Sequence, residues 1–303
     1  MITRRTFLHA LGAAAVSSAF AAPEPFRFRY VLSSALYGEM PLETILPEVS
    51  KAGCEAIDIW CRVHGNQREQ ITEMGDDAFA ALLEKNHTKL GVTTRYSLGP
   101  FKLQEEMAWL KKLGGKIALC GCSGAKNPQG AEAKAAMQEF MEKMKPHVAK
   151  AEELGVTIAI ENHANTALHH PDSLRYFAEF NRSPALGVAL AFHHLREWQD
   201  QIPTLIRDLG AAKLPFIYFQ EYSEGISKKV AKEVEMQQMP GFGGSLDYHA
   251  VLKAMQEIRF AGVVSLFMHP TPRGVSILPT APEVTAAVNK SRAYVEGILK
   301  EIA

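Results

Sequence analysis

The order of apolar segments constrains the fold of this chain more than any other feature of its sequence. Short runs of apolar and β-branched residues alternate with longer stretches in which apolar residues recur every three or four positions, and about eight such pairs follow one another. Several short runs are continuously apolar, as in strands covered on both faces. This alternation predicts a parallel sheet surrounded by helices.

The eight repeats define the predicted elements and, with them, the fold class. The predicted strands are Phe28–Ser33, Ala56–Trp60, Gly91–Ser97, Lys116–Gly121, Thr157–Glu161, Leu186–Phe192, Pro215–Gln220 and Val263–Met268. The predicted helices are Leu42–Ala52, Asp76–Lys85, Leu103–Leu113, Ala131–Leu154, Ser173–Phe180, Ile202–Leu209, Tyr248–Ile258 and Pro282–Glu301. We therefore expect a single-domain (β/α)8 TIM barrel over residues 22–303, close to the roughly 250 residues usual for this fold. The long irregular stretch Glu221–Ser245 is a candidate lid.

The first 21 residues have the composition of an export signal. Arg4-Arg5 precede an apolar, alanine-rich stretch, and small residues near Ala21 suit a cleavage site. The pattern is typical of a twin-arginine leader, although an ordinary secretory signal carrying two arginines gives a similar pattern. We expect a signal peptide over residues 1–21 and a periplasmic location. The apolar stretch is shorter than the ~20 residues of a spanning helix, so we expect no membrane span.

The charge balance narrows the class of partner. Lys plus Arg and Asp plus Glu number 33 each, so the chain has no net positive field to attract a nucleic acid backbone or an anionic membrane. We therefore expect a small-molecule partner and no nucleic acid.

Polar side chains cluster where the predicted strands end. In this fold the active site forms at the carboxyl ends of the strands, where buried polar groups need a ligand or solvent as partner. The strongest stretch runs from Ile158 to Asn165, in which an apolar strand delivers Glu161 and His163 follows closely. An ordinary structural carboxylate is the alternative interpretation of Glu161.

From this stretch the chain resembles the sugar phosphate isomerase/epimerase group, the xylose-isomerase-like TIM barrels. Ile57-Asp58-Ile59-Trp60 and Gly187–Leu190 leading to His194 support the resemblance, which covers essentially the whole mature chain. The resemblance implies that Glu161 binds a divalent metal and touches a sugar substrate. It also implies chemistry next to the sugar carbonyl.

The sequence departs from the pattern of this group at the other three metal ligands. The sixth-strand aspartate is replaced by Ala191, the seventh-strand histidine by Gln220, and the eighth-strand glutamate falls near Phe267, two residues before His269. Two alternatives follow: a rearranged set of Glu161, His194, Gln220 and His269 holds manganese or zinc, or the metal is lost and acid/base groups act alone.

The remaining candidates surround the same rim. We expect Glu161, His163 and His269 to be catalytic. We expect Trp60 to pack on the apolar face of a sugar, and Arg95 and Arg273 to hold an oxygen by charge-assisted hydrogen bonds. The full set of expected substrate-binding residues is Trp60, His64, Arg95, Asn165 and Arg273.

Three functions are compatible with these residues. The first is a sugar isomerase or epimerase that moves a proton next to a carbonyl. The second is a lyase or hydratase on a keto-sugar or keto-glycoside, which needs one base and one acid and so tolerates the missing second glutamate. The third is a non-catalytic carbohydrate-binding barrel, which the fold alone does not exclude.

The leader generates a first prediction. Replacing Arg4 and Arg5 by Lys keeps the positive charge but removes the paired guanidinium groups, so we expect the precursor to accumulate in the cytoplasm. Fractionation of cells expressing both forms measures this. Unchanged export of the double variant would identify the general secretory route instead.

Overall fold

The computed structural model describes residues 26–302 and contains eight parallel strands in one closed sheet. Each strand pairs with the next along the chain, and the eighth pairs with the first. The predicted fold class is confirmed. The strands are β1 Arg29–Ser33, β2 Ala56–Trp60, β3 Leu90–Thr94, β4 Ile117–Gly121, β5 Thr157–Glu161, β6 Leu186–Ala191, β7 Phe216–Phe219 and β8 Val263–Leu266.

Helices connect the strands and cover the outside of the barrel. They are α1 Leu42–Lys51, α2 Gln67–Met74, α3 Asp76–Lys85, α4 Gln104–Lys112, α5 Gly130–Leu154, α6 Pro171–Phe180, α7 Ile202–Leu209, α8 Lys232–Met236, α9 Tyr248–Glu257 and α10 Ala281–Glu301. Within the described residues, no helix has the length and apolar character needed to cross a membrane. The expected leader lies outside the described residues.

The sequence pattern anticipated every strand and eight of these helices. The pattern missed α2 and α8, because α2 is polar over most of its surface and α8 has only five residues. Strands β3, β6, β7 and β8 end earlier than predicted. Their last predicted residues belong instead to the loops that form the upper rim of the barrel.

Aromatic side chains fill the upper part of the barrel interior. The Trp60 ring stacks on Phe267 with centroids 5.0 Å apart, and Tyr218 packs at 5.2 Å from Phe267. All three side chains are essentially buried. This layer forms a packed floor, so the polar residues above it face a closed surface and not a channel.

One carboxyl group lies within this interior. Asp58 on β2 accepts hydrogen bonds from Trp60 Nε1 at 2.6 Å and from the Thr94 hydroxyl at 2.8 Å. Burial raises its pKa to about 7, although these two hydrogen bonds oppose the shift. The hydrogen bond from Trp60 Nε1 fixes the orientation of the indole within the floor.

The segment Glu221–Ser245 is anchored to the loop after β8. Thr271 donates from its backbone to Glu235 at 2.8 Å and from its hydroxyl to the Gly225 carbonyl at 2.7 Å. The Arg273 guanidinium donates to the carbonyls of Pro270 and Ile226 at 2.7 and 2.9 Å. These contacts hold the part of the segment around Gly225 and Glu235 against the loop after β8.

The buried carboxyl group generates a second prediction. Because the folded-state pKa of Asp58 is raised, its contribution to stability is complete below the unfolded value of 3.8 and is lost as pH rises through about 7. Asp58→Asn keeps the volume and removes the ionisation. We expect urea unfolding to show that wild-type stability falls more steeply than that of the variant across this window, by at most about 4 kcal/mol. Equal slopes would mean that Asp58 does not titrate there.

Candidate active site

A cleft of about 670 Å³ opens at the carboxyl ends of the strands. Residues from the loops after β2, β3, β5, β6, β7 and β8 line it, so the closed sheet brings distant parts of the chain together. The lining residues are His64, Tyr96, Glu161, His163, His193, His194, Ile226, Ser227, His269, Thr271 and Arg273.

Glu161 is the only carboxylate among these lining residues of the described chain. It ends β5, directly after the buried run Ile158–Ile160, and its side chain is almost fully buried. One oxygen, Oε2, accepts a hydrogen bond from the Tyr96 hydroxyl, and the other, Oε1, lies 3.6 Å from His194 Nε2. The carboxylate is therefore held in one orientation from both sides.

The surroundings of Glu161 favour its charged form. Burial by itself raises the pKa of Glu161, but the His194 ring lowers it, and His163 and the Tyr96 hydroxyl lower it further, so that it lies below its ordinary value. Burial lowers the pKa of His194, against the opposing effect of Glu161. At neutral pH this pair consists of a carboxylate and a neutral imidazole.

A series of imidazole rings extends from Glu161 around the cleft. Ring centroids lie 4.0 Å apart for His163 and His194, 3.9 Å for His193 and His194, and 5.7 Å for His193 and His269. His64 continues the series at 4.9 Å from His269. Burial lowers the pKa of His64 to about 4 and, first among several causes, holds that of His269 well below its ordinary value. His64 and His269 are therefore neutral at neutral pH.

The side chain of Asn162 positions the end of β6. Its amide nitrogen donates to the Ala191 carbonyl at 3.1 Å, and its oxygen accepts from the Ala191 backbone N–H at 2.7 Å. The chain then enters the 3₁₀ segment Phe192–Gln201. Because β6 has already ended, the alternation of a strand no longer applies, and His193 and His194 both face the cleft.

Three of these side chains fit a metal ion. Glu161, His193 and His194 each offer one ligand atom, and these atoms all lie within 4.8 Å of one another. Both ring nitrogens of His193 are buried without a hydrogen-bond partner within the protein, as expected for an imidazole that binds a metal or substrate. One carboxylate and two neutral imidazoles suit zinc or manganese, and three protein ligands leave a coordination position open for substrate.

The structure brings together only part of the rearranged ligand set expected from the sequence. Glu161 and His194 belong to the cluster, with His193 added. His269 lines the cleft outside this cluster. Gln220 is fully buried, does not line the cleft, and donates from its side-chain nitrogen to Gln238 at 2.8 Å.

Some of the expected substrate-binding residues line the cleft and others lie outside it. His64 and Arg273 line the cleft, as does the expected catalytic residue His163. Trp60 lies in the floor, with 1% of its surface exposed. Asn165 is exposed outside the cleft, where its backbone N–H donates to Asn127.

Arg95 points away from the cleft. It pairs with Glu106 on α4 at 2.8 Å, beside Thr93, whose hydroxyl donates to the same carboxylate. Thr94 and Tyr96 face the interior instead. Sequence reasoning missed Tyr96, because β3 was expected to continue through Ser97 but ends at Thr94, and Arg95 and Tyr96 belong to the loop that follows it. His193 was missed because β6 was expected to continue through Phe192.

Several solved structures share this fold. The IolI protein with a bound zinc atom is 17% identical, with 91% of this chain and 99% of that chain covered and a TM-score of 0.67. An L-ribulose 3-epimerase is 14% identical, with 91% and 96% covered and a TM-score of 0.65. The D-psicose 3-epimerase from Clostridium cellulolyticum H10, solved with D-tagatose, is 13% identical, with 89% and 99% covered and a TM-score of 0.64. At these identities the similarity shows the fold.

The family follows from the sequence itself. No curated protein matches the chain. A family profile described as xylose isomerase-like TIM barrel, however, matches residues 46–287, which is most of its length. This match agrees with the closed eight-stranded barrel and with the site at the carboxyl ends of its strands. The chain belongs to the xylose isomerase-like TIM barrel family.

Proposed function

We propose that this protein is a sugar isomerase or epimerase that transfers a proton at a carbon next to a sugar carbonyl. The observation that carries the proposal is the buried, charged Glu161, held between Tyr96 and His194 in a cleft lined by further histidines. The similarity in fold to ketose 3-epimerases supports the same class of substrate. We propose that the partner is a small sugar or keto-sugar, met in the periplasm after export of the chain.

Glu161 is suited to act as the base. Its carboxylate removes the proton from the carbon, the electrons of the broken C–H bond form a carbon–carbon double bond, and negative charge develops on the carbonyl oxygen. The hydrogen bond from Tyr96 fixes the carboxylate before the substrate arrives, so little reorganisation accompanies the reaction. In an epimerisation a proton then returns to the other face of the same carbon. In an isomerisation it is added to the neighbouring carbon.

Glu161, His193 and His194 would hold a divalent metal, zinc or manganese, in this cleft. Such an ion supplies stabilisation of the negative charge that develops on the sugar carbonyl oxygen. The neutral imidazoles and the ionised carboxylate are already in the protonation states that ligands require. No ligand proton therefore has to be lost at neutral pH.

Arg273 and His269 face the same space. Arg273 uses two N–H groups on backbone carbonyls, and a guanidinium has five, so donors remain for an oxygen of the substrate. The Nδ1 atom of His269 is buried without a partner. We propose that His269, or His163 at the exposed side of the cleft, exchanges the second proton.

Elimination or hydration on a keto-sugar is the second candidate reaction. The position near which this family's second glutamate is expected carries Phe267, which packs on Trp60 inside the floor. Among the described residues that line the cleft, Glu161 is the only carboxylate, so an epimerisation with a carboxylate on each face of the carbon lacks its second group, whereas an elimination needs one base and one acid. His269 lines the same cleft and, once protonated by solvent, would donate that proton to the oxygen of the leaving group.

The metal cluster generates a third prediction. We expect purified protein reconstituted with zinc or manganese to retain one divalent ion per chain, and His193→Ala or Glu161→Gln to lower occupancy at least tenfold. Elemental analysis after dialysis measures this independently of activity. His269→Ala is the matched control, because it removes a cleft histidine outside the cluster. Loss of metal in that variant but not in His193→Ala would favour the set implied by the resemblance.

The base generates a fourth prediction. Incubation with ketoses in deuterated water should place deuterium at the carbon next to the carbonyl, and Glu161→Gln should slow this exchange by ~10²-fold or more. Glu221→Gln is the control, because Glu221 is also buried but does not line the cleft. Both variants should remain folded by circular dichroism. If several sugars bind and none exchanges, the protein is a non-catalytic carbohydrate-binding barrel.

A further inference from the structure

A second pocket of about 300 Å³ adjoins the cleft. His193, His194 and Ile226 line both spaces, so the pocket begins at the walls of the first site. It lies between the segment after β6 and the segment after β7. A ligand long enough to occupy both spaces would pass directly along the histidines beside Glu161.

Two aromatic side chains give this pocket its character. Trp198 is half-buried, and Tyr222 is 37% exposed and has the guanidinium of Arg196 4.4 Å from its ring centre. A flat aromatic face beside a charged hydrogen-bond donor suits a sugar ring, which has apolar C–H faces and hydroxyl groups around its edge.

The backbone brings these groups to the pocket. The 3₁₀ segment Phe192–Gln201 is interrupted at Leu195 and Trp198, where φ and ψ leave the helical range. Beside Trp198, His169 Nε2 donates a hydrogen bond to the His194 carbonyl at 2.9 Å. Because a carbonyl oxygen only accepts, the proton of the neutral ring is on Nε2. His169 Nδ1 is then a buried acceptor without a partner.

We propose that this pocket is a subsite for a second sugar ring, so that the substrate is a disaccharide or larger glycoside with its ketose ring in the cleft. This inference rests on the proposed function for the placement of the ketose ring. Trp198 and Tyr222 pack on the faces of the second ring, and Arg196 binds its hydroxyl groups. The groups that carry out proton transfer stay the same for one-ring and two-ring substrates.

The test compares one-ring and two-ring ketoses. The one-ring probes are D-fructose and D-tagatose, and the two-ring probes are turanose, lactulose and isomaltulose. Binding is measured by calorimetry on Glu161→Gln, in which we expect turnover to be ~10²-fold slower, with zinc or manganese in excess in every titration. The measurement is made with and without Trp198→Ala or Tyr222→Ala. Tyr294→Ala is the matched control, because Tyr294 is a similarly exposed tyrosine on α10 that lies outside both spaces.

We expect at least one two-ring probe to bind more tightly than both one-ring probes. Trp198→Ala and Tyr222→Ala should each weaken that binding about tenfold, equivalent to about 1.4 kcal/mol. Both should leave one-ring binding within about twofold, and Tyr294→Ala should change neither. Thermal melting confirms that each variant is folded, and Trp198→Phe, which keeps an aromatic face, should recover most of the affinity.

The subsite and the proposed reaction fail in different ways. If no two-ring probe binds more tightly than the one-ring probes, or if the substitutions weaken both classes equally, the subsite is wrong, whatever the deuterium exchange shows. If two-ring binding depends on Trp198 but no sugar exchanges deuterium, the subsite stands and the proposed reaction is wrong.

Discussion

Closure of the parallel sheet is the constraint on which the rest of this structure depends. A parallel barrel directs the carboxyl ends of all its strands to one rim, so residues far apart in sequence meet there. Its interior must be filled, and the layer of Trp60, Tyr218 and Phe267 does this directly below the rim. Polar groups above that layer are removed from much of the solvent, which determines their charge states.

Desolvation organises the chemistry of the rim. One carboxylate remains ionised because a tyrosine hydroxyl and a histidine contact it, whereas burial keeps the imidazoles neutral. This arrangement, one carboxylate beside neutral imidazoles, differs from a site with one carboxylate on each face of the substrate. The lining of the cleft therefore has one anionic position, at Glu161, beside several buried imidazoles of lowered pKa.

The sequence was sufficient for the fold and for the centre of the site. Continuous apolar strands and amphipathic helices predicted the barrel, and the buried run before Glu161 predicted the carboxylate at its rim. Side-chain direction was harder to predict. Arg95 points outward to Glu106 while Tyr96 points inward, and both lie in the loop after β3, where no strand pattern predicts the direction of a side chain. His193 depends on where β6 ends, which is fixed by the hydrogen bonds between Asn162 and Ala191, a contact between strands that no local pattern encodes.

Two of the three candidate metal ligands, His193 and His194, are adjacent on the 3₁₀ segment Phe192–Gln201. Ligands contributed by separate strands adjust independently, but these two move together, because any displacement of the segment shifts both rings. The same segment carries Arg196 and Trp198 beside the second pocket. One segment therefore contacts both proposed ligands, so a shift of the segment on binding one of them would change the contacts of the other. If the ligand in the pocket changes the affinity for the metal by some factor, the metal changes the affinity for that ligand by the same factor.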